Sequence, residues 1–160
     1  MSDAQRTLKV TVVTPEGSAY EGEATHVVAP AFDGEMAFYP LHAPLVGVLG
    51  YGELRVTRPD GETEYFYLAG GVVQVADDEV SILAETVTPA SELSLMKAEA
   101  ALADVVTTPA AGEAEIAMRM AATDDARARV RAAHRAKDRG QLTAEEMLDE
   151  AEDILEQPLD

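Results

Sequence analysis

Residues 53–85 read ELRVTRPDGETEYFYLAGGVVQVADDEVSILAE. Short runs rich in β-branched and aromatic residues alternate here with turn residues, a pattern typical of consecutive β-strands. Pro59-Asp60-Gly61 predicts a hairpin turn, because proline presets φ and glycine accepts a left-handed conformation. Asp77-Asp78 predicts a second turn of the same kind. The stretch therefore predicts four strands, which lie at 53–58, 64–69, 72–76 and 79–85.

Strand patterns continue toward the N-terminus, at 8–14 and 25–31. Many short strands separated by close turns favour an antiparallel sandwich or barrel. The pattern changes near Thr88-Pro89, after which alanine dominates and apolar residues recur at helical spacing. We therefore predict a β domain over residues 1–88 and a helical domain over residues 89–160.

Three helices are expected in the second domain, at about 91–106, 113–138 and 143–156. Ser91 is a candidate N-cap for the first helix, and TTPAAG at 107–112 ends it. Gly140 ends the second helix, and Thr143 with Glu146 has the spacing of a capping box for the third. Residues 114–140 carry seven Lys or Arg against four acids, whereas residues 141–160 carry eight acids and no base. A basic helix is thus followed by an acidic one.

The bulk composition excludes several classes of protein. The 160 residues carry a formal net charge of −18, so we expect no nucleic-acid partner. The chain contains no cysteine, which removes disulfides and thiolate sites and fits a reducing compartment such as the cytoplasm. Its longest apolar run, APLVGVLG, is shorter than the roughly 20 residues that cross a bilayer, so contact with a membrane is expected only through partners.

The residues that carry chemistry do not assemble into a recognisable site. His26, His42 and His134 lie far apart, with no metal-ligand spacing between them. The acids at 77–79 could hold a cation in principle, but acids at a hairpin tip are more often simply solvated. No nucleophile has an evident base, and no phosphate loop is present. We expect no metal, no cofactor and no active site.

One segment, GEMAFYPLHAP at residues 34–44, combines an acid, two aromatic residues, a histidine and two prolines. The residues next to His42 supply no acid or base, which argues against catalysis. Pro40 and Pro44 fix φ twice within five residues, and a stiff loop loses little entropy when a partner docks on it. The same prolines could instead end a strand and lead LVGVL into the core. Local sequence leaves both interpretations open.

GEMAFYPLHAP, continued by LVGVLGYGELRV, resembles the signature of the epsilon subunit of F-type ATP synthases. AGGVVQVADDEVSILAETV at 69–87 is similar to the second conserved block of that family. The resemblance implies a flattened antiparallel β-sandwich of about ten strands and a C-terminal helical hairpin, here with an extra acidic helix. It also implies a non-catalytic rotor subunit at the cytoplasmic face of the cell membrane, which couples proton flow to ATP synthesis.

The partners that the resemblance implies are the gamma subunit, the loops of the c-ring and the catalytic alpha/beta head. The residues implied to face the c-ring or gamma are Glu35, Tyr39, Pro40, His42 and Pro44. Basic residues of the C-terminal helices inhibit ATP hydrolysis in relatives by contacting the beta subunit. The corresponding residues here are Arg127, Arg129, Arg131, Arg135 and Lys137.

An ATP-binding motif of some family members begins the first helix, and here its positions read Leu93-Ser94-Leu95-Met96-Lys97-Ala98. The Asp and Arg of that motif are absent, which removes the carboxylate and the guanidinium fork, so we expect ATP binding through Leu93, Lys97 and Ala98 to be impaired. A nucleotide-sensing module whose helices close on ATP is the alternative function. An unrelated sandwich enzyme or carbohydrate-binding module lacks its usual marks, since the chain has no tryptophan.

Overall fold

The structure, a computed structural model, describes residues 5–141 and, beyond them, Glu152, Leu155 and Glu156. The chain divides into two compact units, Met1–Thr88 and Pro89–Asp160. Within the described residues the first unit contains seven strands. They are β1 (Leu8–Thr14), β2 (Gly17–Ala24), β3 (His26–Ala31), β4 (Gly34–Phe38), β5 (Leu45–Thr57), β6 (Thr63–Ala76) and β7 (Glu79–Pro89).

The strands are hydrogen-bonded in the order β2-β1-β7-β6-β5-β3-β4. β1 with β2, β3 with β4, β3 with β5 and β5 with β6 are antiparallel. Of these pairs, β5 with β6 is the one that the Pro59-Asp60-Gly61 turn predicts. β1 and β7 run parallel, with Val10 opposite Val80. Turn residues constrain only strands that follow one another in sequence, so the pairing of the first and last strands was not predictable from them.

β5 and β6 each contribute one segment to both layers of a folded sheet. The core-facing residues of β6 are Phe66 and Leu68 before Gly70-Gly71, and Val73 and Val75 after it. Side chains alternate between the two faces of a strand. The inward-facing residues of β6 have even numbers before Gly70-Gly71 and odd numbers after it, which means that the strand bends between the two segments. β5 makes the same change between Leu49 and Leu54. The fold class is confirmed, and the seven strands replace the expected ten or so because long bent strands supply two segments each.

Gly71 permits the bend in β6. Its φ is 135°, a conformation that favours glycine, and a Cβ at this position would overlap the carbonyl oxygen of Leu83. The sequence-based prediction of separate strands at 64–69 and 72–76 identified the two segments. It did not identify the continuous hydrogen bonding between β5 and β6, in which Leu49 lies opposite Gly71 and Tyr51 opposite Ala69.

All seven strands contribute to one apolar core. Leu8, Val10 and Val12 of β1 are completely buried, and Phe38 is the largest core residue of β4. Both predicted turns are confirmed. The Arg58 N–H donates to the Glu62 carbonyl across the first turn at 2.8 Å, and Asp77 and Asp78 both adopt positive φ in the second.

The second unit begins with a short 3-10 turn at Ala90–Glu92, followed by α1 (Leu95–Thr107) and α2 (Glu113–Asp138). The predicted start of the first helix at residue 91 is wrong. Ser91 lies in the 3-10 turn, and Ser94 caps α1 by accepting a 3.2 Å hydrogen bond from the Lys97 N–H. The physical reason is that Leu93, whose side chain is buried, has an extended backbone, so the α-helix begins one turn later. Of the predicted third helix at 143–156, the structure describes only Glu152, Leu155 and Glu156, which are helical, and the other positions lie outside the described residues.

Candidate functional site

The loop between β4 and β5 is held by a contact that the sequence did not reveal. Leu41 adopts φ of 67°, and its N–H donates a 2.7 Å hydrogen bond to Oδ1 of Asp78 in the turn between β6 and β7. Oδ2 of Asp78 accepts a 2.8 Å bond from Nε of Arg6. A carboxylate from a distant turn therefore fixes the centre of the Pro40–Pro44 loop, in addition to the prolines themselves.

These two bonds favour the charged form of Asp78. The backbone N–H of Leu41 is the larger cause and the guanidinium of Arg6 the next, and together they lower the pKa of the Asp78 carboxyl below its usual value. The loop is thus anchored most firmly when Asp78 is ionised.

His42 is oriented by its own loop. Its Nδ1 lies 2.7 Å from the carbonyl oxygen of Ala43, and because a carbonyl only accepts, Nδ1 carries the proton. Nε2 of the neutral ring is then a hydrogen-bond acceptor. The ring stands edge-on to Phe38 at 5.5 Å between centroids. His42 accordingly presents one acceptor atom from a fixed position.

Tyr39 stacks on His26, with the ring centroids 5.3 Å apart and the planes inclined by 20°. Nε2 of His26 lies 3.2 Å from Oγ1 of Thr57, which ties the ring to β5. Tyr39 nevertheless remains half-exposed. It is supported from one side and free to contact a partner on the other.

Glu35 lies at the beginning of β4 and pairs with Arg55 of β5. The two guanidinium nitrogens of Arg55 bond the two carboxylate oxygens of Glu35 at 3.0 and 2.9 Å, and a third bond reaches the buried Glu53 at 3.4 Å. The bond to Glu35 is the largest of the effects that raise the pKa of Arg55. Arg55 thus bridges the carboxylates of Glu35 and Glu53.

The five residues expected to face partners lie in two places. Tyr39, Pro40, His42 and Pro44 belong to the loop after β4, whereas Glu35 opposes Pro30 near the start of that strand. At about 3.3 Å per residue, Glu35 and Tyr39 are roughly 13 Å apart along the chain. Glu35 and Tyr39 belong to one segment of the sequence, but β4 extends between them and separates them in space.

A further candidate surface, which we call the outer apolar patch, consists of Val46, Val48, Val72 and Leu83. Their side chains are exposed by 74, 70, 42 and 58%, respectively. Val48 lies directly opposite Val72 across β5 and β6, and the Leu83 backbone of neighbouring β7 touches Gly71. Large apolar side chains gathered on one sheet face are unusual on a surface that has no partner.

Sequence reasoning missed this patch. One of the two interpretations that the local sequence left open led LVGVL into the core, but Val46 and Val48 point away from the core while Leu49 is buried. The signal was available, because a strand whose inward positions include Leu45 and Leu49 and whose outward positions are Val46 and Val48 is apolar on both faces. Apolar residues on both faces of a strand indicate that both faces are covered.

The three residues of the nucleotide motif have different environments. Leu93 and Ala98 are buried, and Lys97 is exposed. The hydroxyl of Ser94, which occupies the position of the missing aspartate, is used as the cap of α1. Only the Lys97 position therefore offers an exposed side chain of the kind that binds phosphate.

The five basic residues of α2 also differ from one another. Arg127, Arg131, Arg135 and Lys137 are exposed, while Arg129 is half-buried. The opposite side of α2 is lined by small buried residues, which are Ala126, Ala128, Ala132, Ala133 and Ala136. The helix thus has an alanine face for packing and a basic face toward solvent.

Within the described part of the chain, no group of three His, Asp or Glu residues is placed to hold a metal ion. Neither helix described here has both the length and the hydropathy of a membrane span.

Residues 7–90 match the family model described as the ATP synthase delta/epsilon chain, beta-sandwich domain. The ATP synthase epsilon chain of Alkalilimnicola ehrlichii is 40% identical over 95 residues, which cover 59% of this chain and 68% of the relative. That of Rhodopirellula baltica is 36% identical over 125 residues, covering 78% of this chain and 97% of the relative.

Two solved assemblies contain chains of similar structure. A chain of the Euglena gracilis mitochondrial ATP synthase, solved with OSCP, F1 and c-ring, has a TM-score of 0.67 and 21% identity, with 76% of this chain and 78% of that one covered. A chain of the Tetrahymena thermophila central stalk and c-ring has a TM-score of 0.61 and 17% identity, with 81 and 98% covered. At these identities the likeness shows a shared fold.

Proposed function

Because this chain belongs to the ATP synthase delta/epsilon family, as an accessory epsilon chain rather than a catalytic one, we propose that it is a rotor subunit of the central stalk. In this role it couples proton translocation to ATP synthesis. It acts peripherally, at the cytoplasmic face of the cell membrane, through its partners in the complex. The observation that carries the proposal is the outer apolar patch.

The patch is the surface that we assign to the gamma subunit. Val46, Val48, Val72 and Leu83 lie on neighbouring strands and face away from the core, so a partner that covers them buries apolar surface without any change in the sheet. Gln74, opposite Val46, gives the patch a polar rim. The chain of the Tetrahymena central stalk shares the fold, which is consistent with such a position.

The loop after β4 is the surface that we assign to the polar loops of the c-ring. Asp78 fixes its backbone, His42 presents Nε2 as an acceptor, and Tyr39 is half-exposed over His26. Groups held in place before binding lose little conformational entropy on contact. Glu35 contributes a negative charge at the other end of β4, where a ring contact competes with Arg55 for its carboxylate.

We assign the basic face of α2 to an acidic segment of the beta subunit, a contact that restrains ATP hydrolysis. The guanidinium groups of Arg127, Arg131 and Arg135 are directed to solvent rather than to the alanine face. Rearrangement of the helical unit would present them to the catalytic head. The alternative, a helical unit that closes on ATP, is tested by calorimetry of the isolated chain with ATP and magnesium.

The test of the docking surface is the double substitution Val48→Lys and Val72→Lys. Both side chains are exposed in the isolated chain, so folding is preserved, while two charges enter the proposed interface with gamma. Since a buried valine contributes about 1.5 kcal/mol or more, we expect association with gamma to weaken at least about tenfold. The measurement is co-purification of gamma, alpha and beta subunits from solubilised membranes.

Ser18→Lys is the control, because it places one lysine on an exposed position of β2, outside the patch. Circular dichroism verifies that each variant is folded. If the folded double variant recovers the complex as well as the Ser18→Lys control, the assignment of the patch to gamma is wrong.

A further inference from the structure

The described part of α2 leaves three guanidinium groups without an acidic partner. Arg127, Arg131 and Arg135 follow one another at intervals of four residues, so they form one line along the helix, which we call the arginine stripe. At 1.5 Å per residue the stripe is about 12 Å long. None of the three forms an ion pair with any described residue, whereas His134 on the same side lies 3.6 Å from Glu99 of α1.

The end of α2 turns the chain out of the helix direction at Gly140. Gly140 has φ of 73°, its N–H donates to the Lys137 carbonyl at 2.9 Å, and the N–H of Gln141 donates to the Ala136 carbonyl at 2.8 Å. These two bonds define a Schellman motif, in which a left-handed glycine bends the chain out of the helix direction. Gln141 thus lies beside the last turn of α2, and a 2.9 Å bond from Arg139 Nε to its side chain holds it there.

The chain that leaves from this point is strongly acidic. Residues 142–160 contain eight Asp or Glu and no Lys or Arg. The acids occur at 145, 146, 149, 150, 152, 153, 156 and 160, so most of them recur every three to four residues. On a helix this spacing forms an acidic face whose interval matches that of the arginine stripe.

The length of the tail agrees with this match. A segment that turns at Gly140 and runs antiparallel to α2 at the same rise brings residues 145–153 beside residues 127–135. In this arrangement acidic residues of the tail lie opposite arginines along the whole stripe. In a chain of net charge −18, an arginine-rich surface is the place where an acidic segment is least repelled by the rest of the molecule.

We propose that residues 142–160 dock on the arginine stripe of the same chain and compete there with the beta subunit. The competition rests on the proposed function, whereas the docking does not. Exposed ion pairs are individually weak and screened by salt, so the docked segment is displaced readily when a better acidic partner approaches. The tail then sets how strongly the subunit restrains hydrolysis.

Docking is tested on the isolated full-length chain with two nitroxide labels. The chain has no cysteine, so Asp124→Cys and Gln157→Cys provide unique labelling sites at the far end of the stripe and near the end of the tail. Pulsed electron paramagnetic resonance should give one short distance at about 0.01 M salt. That distance should lengthen and broaden at about 1 M salt, where the Debye length is about 3 Å.

Two variants of the doubly labelled chain make the distance measurement specific. Replacing Arg127, Arg131 and Arg135 by Gln should produce the long, broad distribution even at low salt. Replacing the exposed acids Glu16, Glu21, Glu23 and Glu62 by Gln changes net charge outside the tail and should leave the short distance unchanged. A distribution that responds neither to salt nor to the arginine substitutions overturns the inference.

Competition is tested on the assembled ATP synthase with a chain that ends after Gln141. We expect hydrolysis by the complex to fall about threefold or more at low salt when the tail is removed, and the difference to disappear at high salt. If the tail docks but its removal leaves hydrolysis unchanged, docking stands and the inhibitory part of the proposed function is wrong. If hydrolysis falls without any docking signal, the inference fails and the inhibitory role stands.

Discussion

At the scale of the residue, the carboxylate of Asp78 determines the shape of a loop that is far from it in sequence. It accepts hydrogen bonds from the Leu41 N–H and the Arg6 guanidinium at once, and it therefore connects the segment before β1, the loop after β4 and the turn after β6. Asn would support the turn conformation equally well, because it also tolerates positive φ. Anchoring the loop, unlike forming the turn, depends on the negative charge of Asp78.

This anchor predicts a specific pH dependence for Asp78→Asn. Because the folded pKa of Asp78 is lowered, the charged form stabilises the fold above the ordinary pKa of about 3.9, and this effect is lost as pH falls through the lowered value. The variant lacks the effect, so the stability difference from the native chain should be largest near neutral pH and vanish in the acid range. Urea denaturation at pH values from about 7 to about 3 measures it.

Asp77→Asn is the control, since the neighbouring carboxylate bonds neither Leu41 nor Arg6 and shares the positive φ. It should change stability little across the same range. The stability difference between the native chain and Asp78→Asn is followed down to pH 3, roughly one unit below the ordinary Asp pKa. If that difference stays constant, charge does not anchor the loop.

At the scale of the element, the helical unit depends on caps and on small side chains. α2 buries a face of alanines, which contribute little apolar area each but allow a close approach of the packing partner. Few bulky residues of α1 are buried, so capping accounts for a larger share of its stability than it would in a helix with a leucine-rich face. The position of the cap is consequently a sensitive property of this helix.

Ser94→Ala should destabilise the helical unit by about 1 kcal/mol, because it removes the acceptor of the Lys97 N–H at the first turn of α1. Ser91→Ala is the matched control, as Ser91 makes no cap bond in its 3-10 turn. Thermal unfolding followed by circular dichroism at the helical band compares the two. Equal effects of both substitutions would mean that α1 begins at Ser91 after all.

At the scale of the whole molecule, the proposed tasks divide between the two units. The apolar core consists of residues from the strands, and the outer apolar patch and the loop after β4 belong to the same unit. The arginine stripe and the acidic tail belong to the other. Attachment and regulation are thus assigned to units whose described cores share no residue.

A chain that ends after Thr88 should therefore keep attachment and lose regulation. We expect it to co-purify with gamma to the extent of the full chain, because the patch and its core are complete within residues 1–88. ATP hydrolysis by the resulting complex should no longer be restrained by this subunit. The measurements are recovery of the complex and hydrolysis at equal loading, and a folded fragment that fails to recover gamma would place the attachment surface in the helical unit.

Some of the site was predictable from particular residues. Pro40 and Pro44 predict a stiff loop, since proline restricts its own φ wherever it stands. The bond from Leu41 to Asp78 was not predictable, because it joins residues that only the pairing order of β1, β7, β6 and β5 brings together. The outer apolar patch was missed for a related reason, since which face of LVGVL is inward depends on the register of β5 with β6.

By itself the sequence determined the local elements of this protein: two hairpin turns, a β unit followed by a helical unit, and a break between two helices. Turn formation, capping and hydrophobic alternation act over a few residues, so residues close together in the sequence are enough to specify them. Only the tertiary structure decided that β1 pairs in parallel with β7 and that β5 and β6 bend between two layers. It also decided that four apolar side chains remain outside. These features arise when strands far apart in sequence share one core, because the inward side of each strand is fixed by its partner and not by its own residues.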